Sequence, residues 1–198
     1  IADFTKAIKL HPKFEGTYFH RGTAYLEKKQ YDLAIPDFTK AIKLNPNFAV
    51  AYNNRGLCYS RKGLYDLAIA DFTRAIPLTP DLAKAYANRG FAYTHKGERD
   101  LAISDYNKAI RLDPNYSEAY NNRGVEYLQN GQYALAMNDL NKAIELNPNY
   151  TWAYSNRGNT KFLKGDLEGA LADCDKAIEL APNFVTAYQN RAQVRRAI

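Results

Sequence analysis

The sequence predicts an all-α protein, an α-solenoid of stacked antiparallel helix pairs, and three ladders of single residue types predict it. Gly22, Gly56, Gly90, Gly124 and Gly158 recur at one constant interval, and Ala192 continues the series. Pro12, Pro46, Pro80, Pro114, Pro148 and Pro182 keep the same interval. So does a tyrosine at position i−4 from each glycine: Tyr18, Tyr52, Tyr86, Tyr120, Tyr154 and Tyr188. A fixed period of this kind marks a repeat architecture, in which each unit buries its apolar surface only by stacking on its neighbours.

Each period divides into two helices. The first, for example Val50 to Lys62, sets Tyr52, Gly56 and Tyr59 on one face at helical spacing. A break follows at Gly63, Gly97, Gly131 or Gly165. Asp32, Asp66 and Asp100 then open the second helix, where an acidic residue suits the positive end of the helix dipole. That helix carries Leu67, Ala68, Phe72, Ala75 and Ile76, and two further ladders run through it, Ala34 to Ala170 and Ala7 to Ala177. It closes on Asn45-Pro46, Asp113-Pro114 or a variant, because proline blocks helical continuation and pushes its predecessor toward extended backbone. Pro36 falls near a first turn and should be tolerated, whereas Pro77 should disturb a helix end. Gly56 removes a side chain where Ala68 is expected to approach, allowing two helices to close to the short end of the usual separation. The chain reads as one array: 1–14 (second helix only), repeats 15–48, 49–82, 83–116, 117–150 and 151–184, and 185–198 (first helix only).

This pattern resembles the tetratricopeptide repeat over essentially the whole chain. The matching residues in the second repeat are Tyr52, Arg55-Gly56, Tyr59, Ala68, Phe72, Ala75 and Pro80. The departures are a tyrosine in place of tryptophan, an arginine in place of leucine, and Lys161 where the fifth repeat should have tyrosine. The resemblance implies a right-handed superhelix that binds other polypeptides along its concave face and has no catalytic site or cofactor of its own.

Composition agrees with a globular chain: 46% of residues are hydrophobic and 24% charged, without an apolar run of membrane-spanning length. The N-terminus lacks the basic segment and apolar run of a secretory signal. The net charge of +6 is unevenly placed, at +7 over residues 1–99 and −1 over 100–198, so long-range attraction for an acidic partner favours the N-terminal half. Cys58 and Cys174 fall where the register places core residues and are expected as buried free thiols.

The arginine that departs from the family pattern recurs as Arg21, Arg55, Arg89, Arg123, Arg157 and Arg191. An aspartate stands at position i−18 from each: Asp3, Asp37, Asp71, Asp105, Asp139 and Asp173. Six structural ion pairs between neighbouring repeats are expected, such as Asp37–Arg55 and Asp71–Arg89, with pairing inside one repeat as the alternative. Pairs of this kind set registry more surely than they add stability.

At position i−2 from each glycine, and from Ala192, stand His20, Asn54, Asn88, Asn122, Asn156 and Asn190. The resemblance places this position in the concave groove, where an amide, with one acceptor and two donors, could bond bidentately to a peptide backbone. A similar asparagine ladder grips peptides in the solenoid portion of the O-linked N-acetylglucosamine transferases. Asn53 and Asn121 are expected as further peptide-binding residues of the groove, and Phe19, Leu57, Lys84, Phe91 and Trp152 as groove residues that supply sequence preference. This reading requires the amides to face a hollow without being engaged by their own framework.

Chaperone-binding family members clamp a C-terminal carboxylate, and the best window here offers Phe19, Thr23, Asn54, Lys84 and Asn88. Only Asn54 and Lys84 match, so tail binding of that type is not expected. A basic series on the second helices, Lys6, Lys40, Arg74, Lys108, Lys142 and Lys176, reads as a solvated face near helix C-termini, with a nucleic-acid stripe as the weaker alternative. His11, His20 and His95 have no metal-ligand spacing, and no phosphate loop or nucleophile elbow is present, so no metal or cofactor is expected. Partners should be proteins or peptides, not membranes or nucleic acid, with a targeting arm of a larger enzyme as the second reading. The half repeats at either end should leave apolar faces, at Tyr188 and Val194 among others. They suggest a fragment of a longer protein and head-to-tail self-association.

Overall fold

The computed structural model describes all residues, 1–198, as twelve helices with no strand. Helix α1 (Ala2–Leu10) precedes five helix pairs: α2 (Glu15–Glu27) with α3 (Tyr31–Leu44), α4 (Ala49–Arg61) with α5 (Tyr65–Leu78), α6 (Ala83–Lys96) with α7 (Arg99–Leu112), α8 (Ser117–Gln129) with α9 (Tyr133–Leu146), and α10 (Thr151–Leu163) with α11 (Leu167–Leu180). Helix α12 (Val185–Ala197) closes the chain. The pairs are the expected solenoid repeats. Pro77 does not shorten its helix, since α5 is as long as α3 and α11. None of the helices is long and apolar enough to cross a membrane.

The chain divides into two compact units, residues 1–105 and 106–198. In the first, each of α1 to α5 packs on the next helix in sequence, ending with α5 on α6; in the second, each of α8 to α11 does so. Within each unit the first helices also touch one another, α2 with α4 and α4 with α6, α8 with α10 and α10 with α12. Their second-helix counterparts, α3 with α5 and α9 with α11, do not meet. Each unit therefore curves with its first helices on the inside.

The core of each pair is narrow. Second helices bury a stripe at positions i, i+4 and i+7, such as Ala34, Phe38 and Ala41, or Ala68, Phe72 and Ala75. The largest member of the stripe changes along the chain from Phe38 and Phe72 to Tyr106, Leu140 and Cys174, all fully buried. At Phe38, Phe72, Leu140 and Cys174 it fills the notch left by the glycine of the preceding first helix. A Cβ on Gly56 would lie 2.8 Å from the Phe72 ring, and one on Gly22 2.9 Å from Phe38. The expected approach of the second-helix alanine to the glycine is seen at Gly124, where a Cβ would lie 3.4 Å from the Ala136 carbonyl, and at Gly158, 3.2 Å from the Ala170 carbonyl, while at Gly22 and Gly56 the phenylalanine ring comes closer still. Tyr18 and Tyr188 donate from their hydroxyls to the carbonyls of Pro12 and Pro182, each at 3.1 Å, tying the tyrosine ladder to the proline ladder at these two repeats.

Cys58 and Cys174 are buried free thiols, as expected, and burial pushes their pKa values up to about 12 and about 11. Val194, by contrast, is buried, because α12 packs on α10 and α11, while Tyr188 remains 41% exposed. The unfinished apolar face expected at Val194 is not present.

The turn inside each pair uses a left-handed residue. Gly63 (φ 76°), Gly97 (77°), Gly131 (70°) and Gly165 (85°) hold it, and Lys29 (φ 58°) holds it in the first repeat. There the Lys29 and Gln30 N–H groups bond the Leu26 and Tyr25 carbonyls at 2.8 and 2.9 Å, as Gly63 and Leu64 bond Ser60 and Tyr59. A side chain at positive φ costs on the order of 1 kcal/mol over glycine. Lys29→Gly is therefore expected to raise stability by about 1 kcal/mol in thermal or urea unfolding; an unchanged midpoint would remove the strain argument.

Candidate functional site

The first helices carry two ladders side by side, and the glycine notch positions the arginine ladder. The approach that seats Phe38 on Gly22 also brings Asp37 Cβ to 3.2 Å of where a Gly22 Cβ would be, and the aspartate then meets the arginine beside that glycine. Arg21 donates to Asp37 through Nε and Nη2, both at 2.7 Å. Arg55–Asp71, Arg89–Asp105, Arg123–Asp139 and Arg157–Asp173 repeat the same two-pronged geometry at 2.7–2.8 Å. The acids are buried, at 5–8% side-chain exposure, and the arginines nearly so, at 16–19%. Hydrogen bonding to Asp71 raises the Arg55 pKa above its ordinary value, against the lowering effect of burial, so the guanidinium stays charged.

These pairs lie inside one repeat. The expected inter-repeat pairing, including Asp3–Arg21, Asp37–Arg55, Asp71–Arg89 and Asp173–Arg191, is corrected to the intra-repeat alternative, in which the aspartate stands at i+16 and not at i−18. Asp3 is exposed on α1, and Arg191 donates to Asp175 at 2.7 Å. Neighbouring repeats are coupled by the remaining nitrogen. Arg21 Nη1 donates to Thr5, Arg55 to Thr39, Arg89 to Thr73, Arg123 to Asn107 and Arg157 to Asn141, at 2.5–3.2 Å. Each of these arginines therefore joins three helices. Tyrosine rings flank it: Arg55 lies 5.7 and 5.9 Å from the centroids of Tyr52 and Tyr59. In the fifth repeat Lys161 replaces the second tyrosine and places its Nζ 2.9 Å from Asp173, a second cation on the same carboxylate. The polar partners at Thr5 through Asp175 were not anticipated, although a hydroxyl, amide or carboxylate recurs there once per repeat.

The amide ladder is engaged by its own framework. Asn88 Nδ2 donates to Asn53 Oδ1 at 3.2 Å, and Asn156 Nδ2 to Asn121 Oδ1 at 2.9 Å. Asn190 Nδ2 donates to the Ser155 carbonyl and hydroxyl at 3.3 and 3.0 Å. Asn54 and Asn122 accept from Asn53 and Asn121 at 3.3 and 3.0 Å. The bidentate free amide expected from the sequence is thereby corrected, since each amide gives one of its two polar ends to the protein. Asn53 and Asn121 are likewise not open groove residues. They are 8% and 4% exposed, as a position between neighbouring first helices requires. All five ladder amides nevertheless keep partial exposure. His20, in the first repeat, stacks on Phe4 with ring centroids 5.9 Å apart.

Around the amides, Lys84 is exposed and Trp152 is 51% exposed, resting its edge on Phe184 at 4.6 Å. Phe91 is half-buried and meets His95 at 4.4 Å. In the basic series of the second helices, Lys142 pairs with Glu145 and Lys176 with Glu179, and Lys40 lies 5.9 Å from the Tyr18 ring centroid. No group of three His, Cys, Asp or Glu side chains is placed to hold a metal ion.

The tetratricopeptide repeat profile matches residues 17–48, 49–82, 83–116, 117–150 and 151–184. Comparison with curated protein sequences gives no match. Among solved structures, YrrB, described as a TPR protein with an unusual peptide-binding site, superposes with a TM-score of 0.70 at 25% identity, over 96% of this chain and 97% of that one. TTC0263, a TPR protein of Thermus thermophilus, gives a TM-score of 0.76 at 24% identity over 92% and 99%. The first TPR of Spaghetti (RPAP3), bound to the HSP90 peptide SRMEEVD, gives 0.56 at 34% identity over 58% and 91%.

Proposed function

The chain belongs to the tetratricopeptide repeat family, and from that premise we propose that this protein-interaction scaffold binds an extended peptide segment along the inner, first-helix side of its units. The condition that the amides be free of their own framework is not met, so the bidentate grip is lost, and the observation that still carries the reading is the one polar end left over on each rung. Each rung gives one polar end to the framework, keeps the other, and stays partly exposed beside Lys84 in the first unit and Trp152 in the second. A rung anchored at one end is already ordered, so a ligand need not immobilise it on binding. Such rungs contact main chain through single hydrogen bonds, which is tolerant of sequence. Lys84, Phe91 and Trp152 would supply the preference for particular side chains.

The family likeness supports a binding scaffold, which is also the role a recruiting arm of an enzyme would have. A nucleic-acid surface on the second helices is less well supported, since Lys142 and Lys176 already hold glutamates. Peptides selected from a displayed library of random dodecapeptides test the reading. Replacing Asn88→Ala together with Asn122→Ala should weaken their binding at least tenfold, the equivalent of about 1.4 kcal/mol. Binding that survives the double replacement and instead collapses steeply with salt would overturn the groove reading in favour of the basic face.

A further inference from the structure

Within each unit two rungs are joined through a third, buried amide. In the first unit Asn88 donates to Asn53, and Asn53 donates to Asn54, at 3.2 and 3.3 Å. In the second, Asn156 donates to Asn121, and Asn121 donates to Asn122, at 2.9 and 3.0 Å. The two buried members lie two repeats apart, and the same register is held by Ala87 and Ser155 in the repeats that follow each of them. The chain therefore has two three-amide relays, each connecting one pair of rungs.

We infer that each relay makes its two outer amides meet a bound peptide with opposite polarity, one as donor and the other as acceptor. The inference rests on the proposed binding of an extended peptide along the first helices. With the bonds as they stand, Asn54 accepts from the relay, which leaves its NH2 for the groove. Asn88 donates to the relay and leaves its carbonyl oxygen for the groove. Exchanging oxygen and nitrogen on all three amides gives a second arrangement with the same two bonds and the outer polarities reversed. Any partial exchange sets N–H against N–H or oxygen against oxygen at a buried position, which loses a bond and leaves a polar group unsatisfied.

The relay thus turns as a unit. An extended backbone presents N–H and C=O groups in an order that reverses with chain direction, so the two arrangements suit the two directions of the same peptide. Asn190 has no such freedom. Its NH2 is held by the Ser155 main-chain carbonyl, which can only accept, so Asn190 always offers its oxygen. Asn53 and Asn121 are accordingly positioning residues, coupling rungs without touching ligand.

Two measurements test this. In the free protein, Asn88→Ala should shift the side-chain amide resonances of Asn54, which Asn88 does not bond, and the shift should be lost in an Asn53→Ala background. Ala87 and Ser155 show that the repeat accommodates small residues at that position. An Asn54 signal indifferent to Asn88→Ala, or equally moved in both backgrounds, overturns the relay. With a dodecapeptide selected on the wild-type protein, Asn53→Ala should weaken binding about tenfold although it is buried. The non-additivity between Asn54→Ala and Asn88→Ala should vanish in the same background. If Asn54→Ala and Asn88→Ala each weaken binding but add independently in both backgrounds, the groove stands and the relay falls. If neither replacement affects binding, or if selection yields no peptide, the groove reading falls and the ligand half of this inference falls with it, whatever the free-protein spectrum shows.

Discussion

Arg55→Leu is expected to cost about 3 kcal/mol and to lower the thermal midpoint by roughly 6–12 °C. The reason lies with the partner. Asp71 is 7% exposed and receives both prongs of the guanidinium at 2.8 Å, so removing Arg55 leaves a buried carboxylate without a counterion. The same change frees Thr39 of the preceding repeat and empties the space between Tyr52 and Tyr59. The full range for a buried pair is about 3–5 kcal/mol; the 16% exposure of Arg55 places the cost at its lower end. Arg55→Lys should recover less than half of the loss, because an ammonium cannot form the fork or lie flat between rings. Replacing both partners, Arg55→Leu with Asp71→Leu, should be less damaging than Arg55→Leu alone. Chemical denaturation of the three variants decides the matter. A single variant as stable as the wild type would show that the carboxylate finds water or protons at no cost.

The direction of this pairing was not legible in the sequence, and the reason is arithmetic. In a perfect repeat of this period, an arginine with an aspartate at i−18 also has one at i+16, so periodicity cannot choose between them. The choice is made by the notch, where the approach of the second helix to the glycine carries Asp37 or Asp139 to the adjoining arginine. The helix pairs were legible because glycine, proline and alanine have few reasons to recur at fixed spacing apart from backbone geometry. The amide ladder was legible as a row but not as a network. Asn53 and Asn121 read as groove residues, whereas they are buried between first helices, and Ala87 and Ser155 in the same register are buried too. Asn53 and Asn121 recur at twice the period, and that longer repeat was the available sign that neighbouring rungs are joined in twos. Burial of Val194 was missed because it depends on how α12 seats against α10 and α11, which residue type alone does not determine.

Replacing the notch glycines by alanine should give a graded series, with Gly56→Ala losing about 2 kcal/mol and Gly158→Ala close to neutral. Two effects oppose each other at every position. Alanine in a helix interior gains about 1 kcal/mol over glycine, whereas forcing a methyl into a filled core costs up to about 3 kcal/mol. At Gly56 the new Cβ would stand 2.8–3.1 Å from three atoms of the fully buried Phe72 ring, which has no open side to move into. At Gly124 the nearest atoms are Leu140 Cγ at 3.1 Å and Asp139 Cβ at 3.3 Å, neither as close as the ring atom at Gly56. At Gly158 the neighbours are the Ala170 carbonyl at 3.2 Å, Asp173 Cβ at 3.3 Å and Cys174 Sγ at 3.4 Å, so a shift of a few tenths of an ångström suffices. The order of stability, measured against urea, should therefore follow the shrinking of the buried residue from Phe72 through Leu140 to Cys174. Equal losses at Gly56 and Gly158 would mean that the glycine serves backbone conformation instead of space, and the notch would not set the register on which the arginine and amide ladders depend.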